Sequence, residues 1–329
     1  MIGIVYGTRP EYIKIKPLLE EFRKSGIDFR VLKVEQHTDL IDEYEYDELI
    51  PVGNGDKIRL NAILAGCFTH SFHEEMTDII VQGDTTTAMS VALNAFHCGI
   101  KVMHLEAGLR TYDKENPHPE EVNRRIISSI ASVHFCPTER DRNNLIKEGF
   151  EKDQIYVTGN TALDNLRDIK PARGNEVLIT LHRRENHPYM REWFIALEEL
   201  AEMYPHYSFV FPMHPSPAVQ KHRWVFNKVE VCDPLSIEEM QQRLSQCAYA
   251  ITDSGGIQEE CSFFNKVCLV CRKVTERPSS SSIICDSPQH LTSKFMLHNS
   301  IKVKLECPFG DGYAARKITK HVKELLRRV

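Results

Sequence analysis

Residues 81–125 read VQGDTTTAMSVALNAFHCGIKVMHLEAGLRTYDKENPHPEEVNRR, and this stretch decides the fold. An apolar run Ile79–Gln82 predicts a strand that ends in a tight turn at Gly83. Apolar positions at helical spacing then predict a helix over Thr86–His97, a strand over Lys101–Leu105, a loop, and a second helix from about Pro119. Strand, helix and strand in this order make a right-handed βαβ crossover, the unit of a parallel sheet. Asp84 directly follows one strand, Glu106 follows the next, and Glu120 opens the helix beyond the loop. Open α/β sheets bind ligands outside the carboxyl ends of their strands. Carboxylates collected there predict a proton-handling site.

Working outward, the same alternation fills the first half. Ile2–Tyr6 is a predicted strand feeding Gly7-Thr8-Arg9-Pro10-Glu11 and a helical pattern through Ile13, Ile15, Leu18, Leu19 and Phe22. Pro10 suits a first helical turn, and backbone N–H groups at such a turn can hold an anion, with Arg9 as a fork and Lys14 as a second charge. Further strands are predicted at Arg30–Val34, Ser132–Cys136 and Ile155–Val157. Helices are predicted at Leu60–Glu75 and Thr138–Glu148, the second capped by Thr138. Residues 42–59 read as a poorly patterned loop. Arg167–Asn175 is the best linker, and beyond it the alternation restarts. Strands are expected at Val177–Leu181, Ser208–Phe211, Val229–Val231, Ala250–Thr252 and Val267–Val270, with helices at Met190–Met203, Ser236–Cys247 and Gly256–Phe264. The expected fold is therefore α/β: two Rossmann-like, doubly wound domains facing a cleft, over residues 1–167 and 168–313. A final amphipathic helix, Ala314–Val329, is compatible with packing back on the first domain and equally with a plain terminal helix.

Composition narrows the function classes. The 329 residues are 42% hydrophobic and 26% charged with a net charge of −5, the profile of a globular protein without the basic excess that nucleic acid or acidic membranes attract. No long apolar run predicts a membrane span, and MIGIVYG reads as a strand, not as a signal peptide. The 10 cysteines lack paired spacing, so they are read as structural thiols of a cytoplasmic protein. Cys268 and Cys271 lie in an apolar run with no second pair at zinc distance. No histidine spacing suggests a metal site either.

The second half offers its own chemistry. Asp253-Ser254-Gly255-Gly256-Ile257-Gln258-Glu259-Glu260 follows a strand and opens a helix, a turn suited to a pyrophosphate, with Glu260 placed to reach a ribose diol. His182-Arg183-Arg184 follows the strand before it, and His214 stands between Pro212 and Pro215 at another strand end. Arg277, beside the serine run 279–282, is positioned to close over a phosphate.

Together these motifs resemble the non-hydrolysing UDP-N-acetylglucosamine 2-epimerase family: GTRPE at 7–11, QGDTTTA at 82–88, HLEAGLRT at 104–111, PEEVNRR at 119–125, TGNT at 158–161, HRREN at 182–186, DSGGIQEE at 253–260 and TERP at 275–278. The resemblance implies a GT-B-type fold, a homodimer, a UDP-sugar substrate, no cofactor and no metal. It implies that UDP-GlcNAc and UDP-ManNAc interconvert through elimination of UDP to 2-acetamidoglucal and re-addition. It assigns Asp84, Glu106, Glu120 and His182 to catalysis, and Arg9, Lys14, His214, Ser254, Gly255, Gly256, Glu260 and Arg277 to UDP binding. Gln36 and His37 match the start of an allosteric UDP-GlcNAc site, where Asp39 replaces the expected glutamine. Met240 stands where bacterial members carry an aromatic near uracil, and the serine run replaces an acidic segment after TERP. The alternatives are an epimerase for a 6-deoxy or uronate UDP-2-acetamido sugar, a hydrolysing epimerase, a glycosyltransferase on the same fold, and an inactive nucleotide-sugar sensor. Pro10 and QGDTTTA argue against the hydrolysing enzyme.

Overall fold

The computed structural model describes residues 1–35, 44–52, 59–299 and 306–327. The chain divides into two compact units, Met1–Asn165 with Gly310–Val329, and Leu166–Phe309.

In the first unit, strands β1 (Ile2–Tyr6), β2 (Phe29–Val34), β3 (Glu48–Ile50), β4 (Asp78–Gln82), β5 (Lys101–Leu105), β6 (Val133–Cys136) and β7 (Ile155–Val157) form one sheet in the order β3-β2-β1-β4-β5-β6-β7. Every pairing is parallel. Helices α1 (Arg9–Ser25), α2 (Arg59–Thr69), α3 (Thr86–His97), α4 (Glu120–Ile130) and α5 (Glu139–Lys147) join the strands. A sheet covered on both faces needs strands that are apolar on both faces. In β1, Ile2, Ile4 and Tyr6 face one core with Leu18, Leu19 and Phe22 of α1, while Val5 faces the other with Ile79, Val81 and Val91.

The second unit repeats the plan with β8 (Glu176–Thr180), β9 (Ser208–Pro212), β10 (Glu230–Cys232), β11 (Tyr249–Thr252), β12 (Val267–Val270) and β13 (Ser282–Ile284), ordered β10-β9-β8-β11-β12-β13 and again all parallel. Its helices are α6 (Met190–Met203), α7 (Pro217–Gln220), α8 (Ile237–Gln246), α9 (Gly255–Phe263) and α10 (Pro288–Asn299). The stretch 167–175 belongs to this unit and is tied to it, since Ala172 N–H donates to Ser245 O at 3.0 Å and Gly174 N–H to Gln246 O at 2.7 Å.

The last helix, α11 (Ala314–Leu326), lies in the first unit: Ala315, Ile318 and Val322 join the α1 core. Its free N-terminal N–H groups are met by Asp164, whose carboxylate accepts from Ala314 at 2.9 Å and Ala315 at 2.8 Å. Among the described residues no helix is long and apolar enough to cross a membrane.

Four elements depart from the sequence reading. β3 lies inside the stretch read as a loop, and β13 begins at the end of the serine run; each has only three residues and sits at a sheet edge. α2 ends at Thr69, six residues before the expected limit. α10 was not anticipated because its apolar positions fall around the helix without forming one stripe.

The first sheet also carries a built-in acid weakness. His104 and His134 face each other across β5 and β6 and are fully buried. Burial pushes His104 down to about 4 and His134 down to about 3, the latter with help from the neighbouring His104 and Arg110. A histidine depressed in the fold binds more protons when unfolded, so its contribution to stability is intact above about pH 6.5 and lost as pH falls toward 4. The slope is about 1.4 kcal/mol per pH unit for each ring in that window. Urea titrations between pH 7 and 5 should therefore show a steep fall in stability. His134→Leu, which removes a ring whose two nitrogens have no partner among the described residues, should halve that slope without lowering stability at pH 7. An unchanged slope would contradict the argument.

Candidate active site

In a sheet ordered 3-2-1-4, the chain winds in opposite directions on either side of the β1–β4 pair, and the diverging loops leave a crevice at their carboxyl ends. The first unit's polar residues gather there. Thr8 caps α1, and the buried Glu11 accepts from Gly7 N–H at 3.0 Å, Thr8 Oγ1 at 2.8 Å and Thr85 Oγ1 at 2.5 Å. Glu11 thereby ties the loop after β1 to the loop after β4. The Gly7 N–H, which the sequence offered to an anion, is taken by this carboxylate. Burial raises Glu11 above the usual carboxylate range.

Glu106 directly follows β5 in the left-handed region, at φ 61°. Its Oε2 accepts from Lys14 Nζ at 2.5 Å and from Gln82 Nε2. Asp84 follows β4 and the positive-φ Gly83, and its Oδ2 accepts from Arg124 Nε and Nη2, both at 2.7 Å. Asn123 Nδ2 holds the Asp84 carbonyl at 2.9 Å. Arg124 reaches Glu121 as well, at 3.1 Å, and Glu121 accepts from Thr111 and Tyr112 N–H at 3.0 Å each. Glu120, at the first position of α4, differs from both: its Oε2 is buried with no hydrogen-bond partner among the described residues. The first unit thus gathers three carboxylates gripped by cations, Asp84, Glu106 and Glu121, and its α4 carries a fourth, Glu120, with an oxygen left open.

The second unit shows the same winding, with β8 and β11 as the diverging pair. His182 follows β8 and stacks on His214, which follows β9, with centroids 5.2 Å apart and planes 17° apart. Burial lowers His214 below the ordinary histidine value, and His182 adds to the effect. After β11, Ser254 opens α9 without a side-chain cap bond, leaving the helix N-terminus to a ligand. Arg277 lies directly above Gly255. Its Nε donates to Glu259 at 2.7 Å and its Nη1 to Glu276, so a guanidinium expected to swing over a phosphate is held in place by two carboxylates. Glu260 sits one turn into α9, where burial and the charge of Glu259 push its carboxyl up to about 8. Among the described residues no group of three His, Cys, Asp or Glu side chains is placed to hold a metal, and all ten cysteines are free thiols.

A Cβ added at Gly255 would stand 2.6 Å from Arg277 Nη1 and 3.0 Å from Cζ. Because Arg277 is pinned, Gly255→Ala should displace it from the helix N-terminus. If the turn holds the pyrophosphate expected of it, loss of one charge-assisted hydrogen bond should weaken pyrophosphate binding by roughly 10- to 100-fold, measurable by calorimetry. Unaltered affinity would separate Arg277 from the anion turn.

The family model for UDP-N-acetylglucosamine 2-epimerase matches residues 59–323. A curated UDP-N-acetylglucosamine 2-epimerase of Campylobacter jejuni is 36% identical, with 96% of each chain covered. The chain belongs to the UDP-N-acetylglucosamine 2-epimerase family. Solved structures of the family superimpose closely. The Neisseria meningitidis epimerase bound to UDP-GlcNAc has a TM-score of 0.88 at 30% identity, covering 98% of this chain and 99% of its own. The UDP co-structure of S. aureus MnaA has a TM-score of 0.90 at 30% identity, covering 100% and 97%.

Of the residues matched to the epimerase motifs, Arg9, Lys14, Asp84 and Glu106 belong to the β1–β4–β5 ends of one unit, and Glu120 opens its α4. His182, His214, Ser254, Gly255, Gly256, Glu260 and Arg277 belong to the corresponding region of the other. Gln36, His37 and Asp39 lie outside the described residues. Sequence reading missed Gln82, Arg124 and Asp253, which grip named residues, and Glu121, which holds Arg124. A signal for Asp253 was present: it follows β11 as closely as Asp84 follows β4. Arg124 carries a signal as well, since it stands three and four residues after Glu121 and Glu120 on one face of α4.

Proposed function

We propose that this chain interconverts UDP-GlcNAc and UDP-ManNAc by inversion at C2. The observation that carries the reading is the set Asp84, Glu106 and Glu120 at the strand ends and adjoining helix of one unit, in a chain of this family. The C2 proton lies beside an amide nitrogen and is poorly acidic. Breaking the C1–O bond first releases UDP, places positive charge on the ring and acidifies that proton; loss of the proton to a carboxylate then gives 2-acetamidoglucal, and UDP returns to C1 with the proton added to the other face of C2.

The partners of the three carboxylates support a division of labour. Asp84, its Oδ2 held twice by Arg124, keeps a fixed negative charge beside the oxocarbenium-like ring. Glu106, paired with Lys14, and Glu120, with its open oxygen, exchange the C2 proton on the two faces. In the other unit, the α9 N-terminus, Arg277 and His182 hold the diphosphate as leaving group and nucleophile, while Glu260 meets the ribose. The protein acts without a metal or cofactor in this scheme. Ten free thiols support a cytoplasmic protein, and exposed Leu60, Phe68 and Phe96 on the neighbouring α2 and α3 support a homodimer.

Incubation with UDP-GlcNAc in D2O, followed by proton NMR, tests the reading. UDP-ManNAc carrying deuterium at C2 is the expected product. Unexchanged UDP-GlcNAc would overturn it and direct attention to another UDP-2-acetamido sugar, and free ManNAc with UDP would show hydrolysis.

A further inference from the structure

The scheme above gives no task to Asp253, a fully buried carboxylate. It stands between the last residue of β11 and Ser254, the cap of α9. Its Oδ2 accepts from His182 N–H at 3.0 Å, Arg183 N–H at 2.9 Å and Asn186 Nδ2 at 3.0 Å. Its Oδ1 lies 3.8 Å from His182 Nδ1. Asn186 is held in turn by Cys271 O at 2.9 Å. A residue that only filled space here would not need to be an acid. The backbone donors fix where the loop begins, and Oδ1, which also accepts from His182 N–H at 3.2 Å, faces one nitrogen of the imidazole.

We propose that Asp253 is the positioning residue of His182: it holds the ring with Nδ1–H toward the carboxylate and so turns Nε2 to the diphosphate. This rests on the epimerase reading for the role of His182. A histidine's tautomer is set by the hydrogen bond its other nitrogen makes. Here Oδ1, 3.8 Å from Nδ1 and short of hydrogen-bond contact, is the acceptor on which Nδ1–H closes when Nε2 engages the diphosphate, and the His214 stack holds the ring plane. Because Ser254 follows Asp253 directly, the anion turn and the histidine hang from one residue, which fixes the position of the imidazole relative to the turn.

Two measurements test it. Asp253→Asn keeps the size, and with its amide oxygen before the three donors at the Oδ2 place its NH2 falls at the Oδ1 place, where it faces His182 Nδ1 as a donor and not as an acceptor. It should lower kcat at least about tenfold, as removal of the outer partner of a metal-bound histidine or of a triad histidine does, and leave KM within about threefold. In a His182→Asn background the same change should cost less than about threefold, because the ring it orients is gone. Equal losses in both backgrounds would mark Asp253 as merely structural and overturn the proposal. Should Asp253→Asn fail to fold, 15N imidazole spectra of the wild-type protein saturated with UDP decide instead: His182 must carry a proton on Nδ1, and an unprotonated Nδ1 refutes the assignment. These spectra need no turnover. If the wild type fails to exchange at C2, the epimerase reading falls while the spectra still decide the geometry of Asp253.

Discussion

Glu106→Gln is expected to lower kcat by about 10²- to 10⁴-fold, the range lost when a general acid–base group is removed, and to abolish deuterium incorporation at C2. Glutamine preserves the volume and still offers an oxygen to Lys14 and Gln82, which now converge on Glu106 Oε2. What it cannot do is take a proton. The backbone adds a reason to expect a localised effect. Glu106 is held in the left-handed region, which costs of order 1 kcal/mol or more for a side chain with a Cβ, and such strain persists where surrounding contacts over-determine it. The ladder continues on both sides, with Gly83 N–H donating to Leu105 O at 3.0 Å and Ala107 N–H to Phe135 O at 3.1 Å. The variant should therefore fold normally and bind UDP with affinity within a few-fold of wild type. Calorimetry with UDP and turnover with UDP-GlcNAc separate the two effects. A variant that keeps more than a tenth of the wild-type kcat would remove Glu106 from the proton path and leave Glu120 and Asp84 to share it.

The parts of this molecule legible in the sequence are those governed by local periodicity. β1, β5, β7, β12, α3 and α6 begin and end where the apolar pattern does, because strands buried on both faces must be continuously apolar and amphipathic helices must keep one stripe inward. The strand ends identify Asp84, Glu106, His182 and Ser254 for the same reason. β3 escaped because Glu48-Leu49-Ile50 sits between an acidic run and Pro51, and β13 because the serine run that leads into it resembles a turn. The gripping contacts were illegible for a different reason. Lys14 and Glu106 are 92 residues apart, Arg124 and Asp84 are 40 apart, and Asp253 reaches back 70 residues to Arg183. A hydrophobic pattern states which face of an element is buried, and strand order then decides which loops become neighbours. Only after β4 inserts beside β1, and β11 beside β8, do these side chains meet. Arg277 illustrates the limit: its type and place suggested a phosphate ligand, while its two carboxylate partners became visible only in three dimensions.

Arg124→Met should produce the largest loss of stability of any single change at the site. The Arg124 side chain is 4% exposed and bridges two carboxylates, Asp84 at 2.7 Å and Glu121 at 3.1 Å; the Glu121 side chain is 1% exposed. Removing one partner of a buried pair leaves an uncompensated charge, which costs about 3–5 kcal/mol. Glu121 keeps its bonds from Thr111 and Tyr112 N–H, so the loss falls on its charge and not on its position. Neutralising that charge should recover much of the stability, and urea midpoints should place Glu121→Gln/Arg124→Met well above Arg124→Met alone. Activity should not recover in the same way. Asp84 loses both guanidinium bonds in either variant and, among the described residues, is held only through the Asn123 contact to its carbonyl, so its carboxylate is no longer aimed. Stability restored with turnover still depressed at least about tenfold would assign Arg124 two separable duties: neutralising Glu121 for the fold and orienting Asp84 for the reaction. Recovery of both together would reduce it to a structural counter-ion, and recovery of neither would show that the amide cannot replace the carboxylate in holding the Thr111–Tyr112 loop.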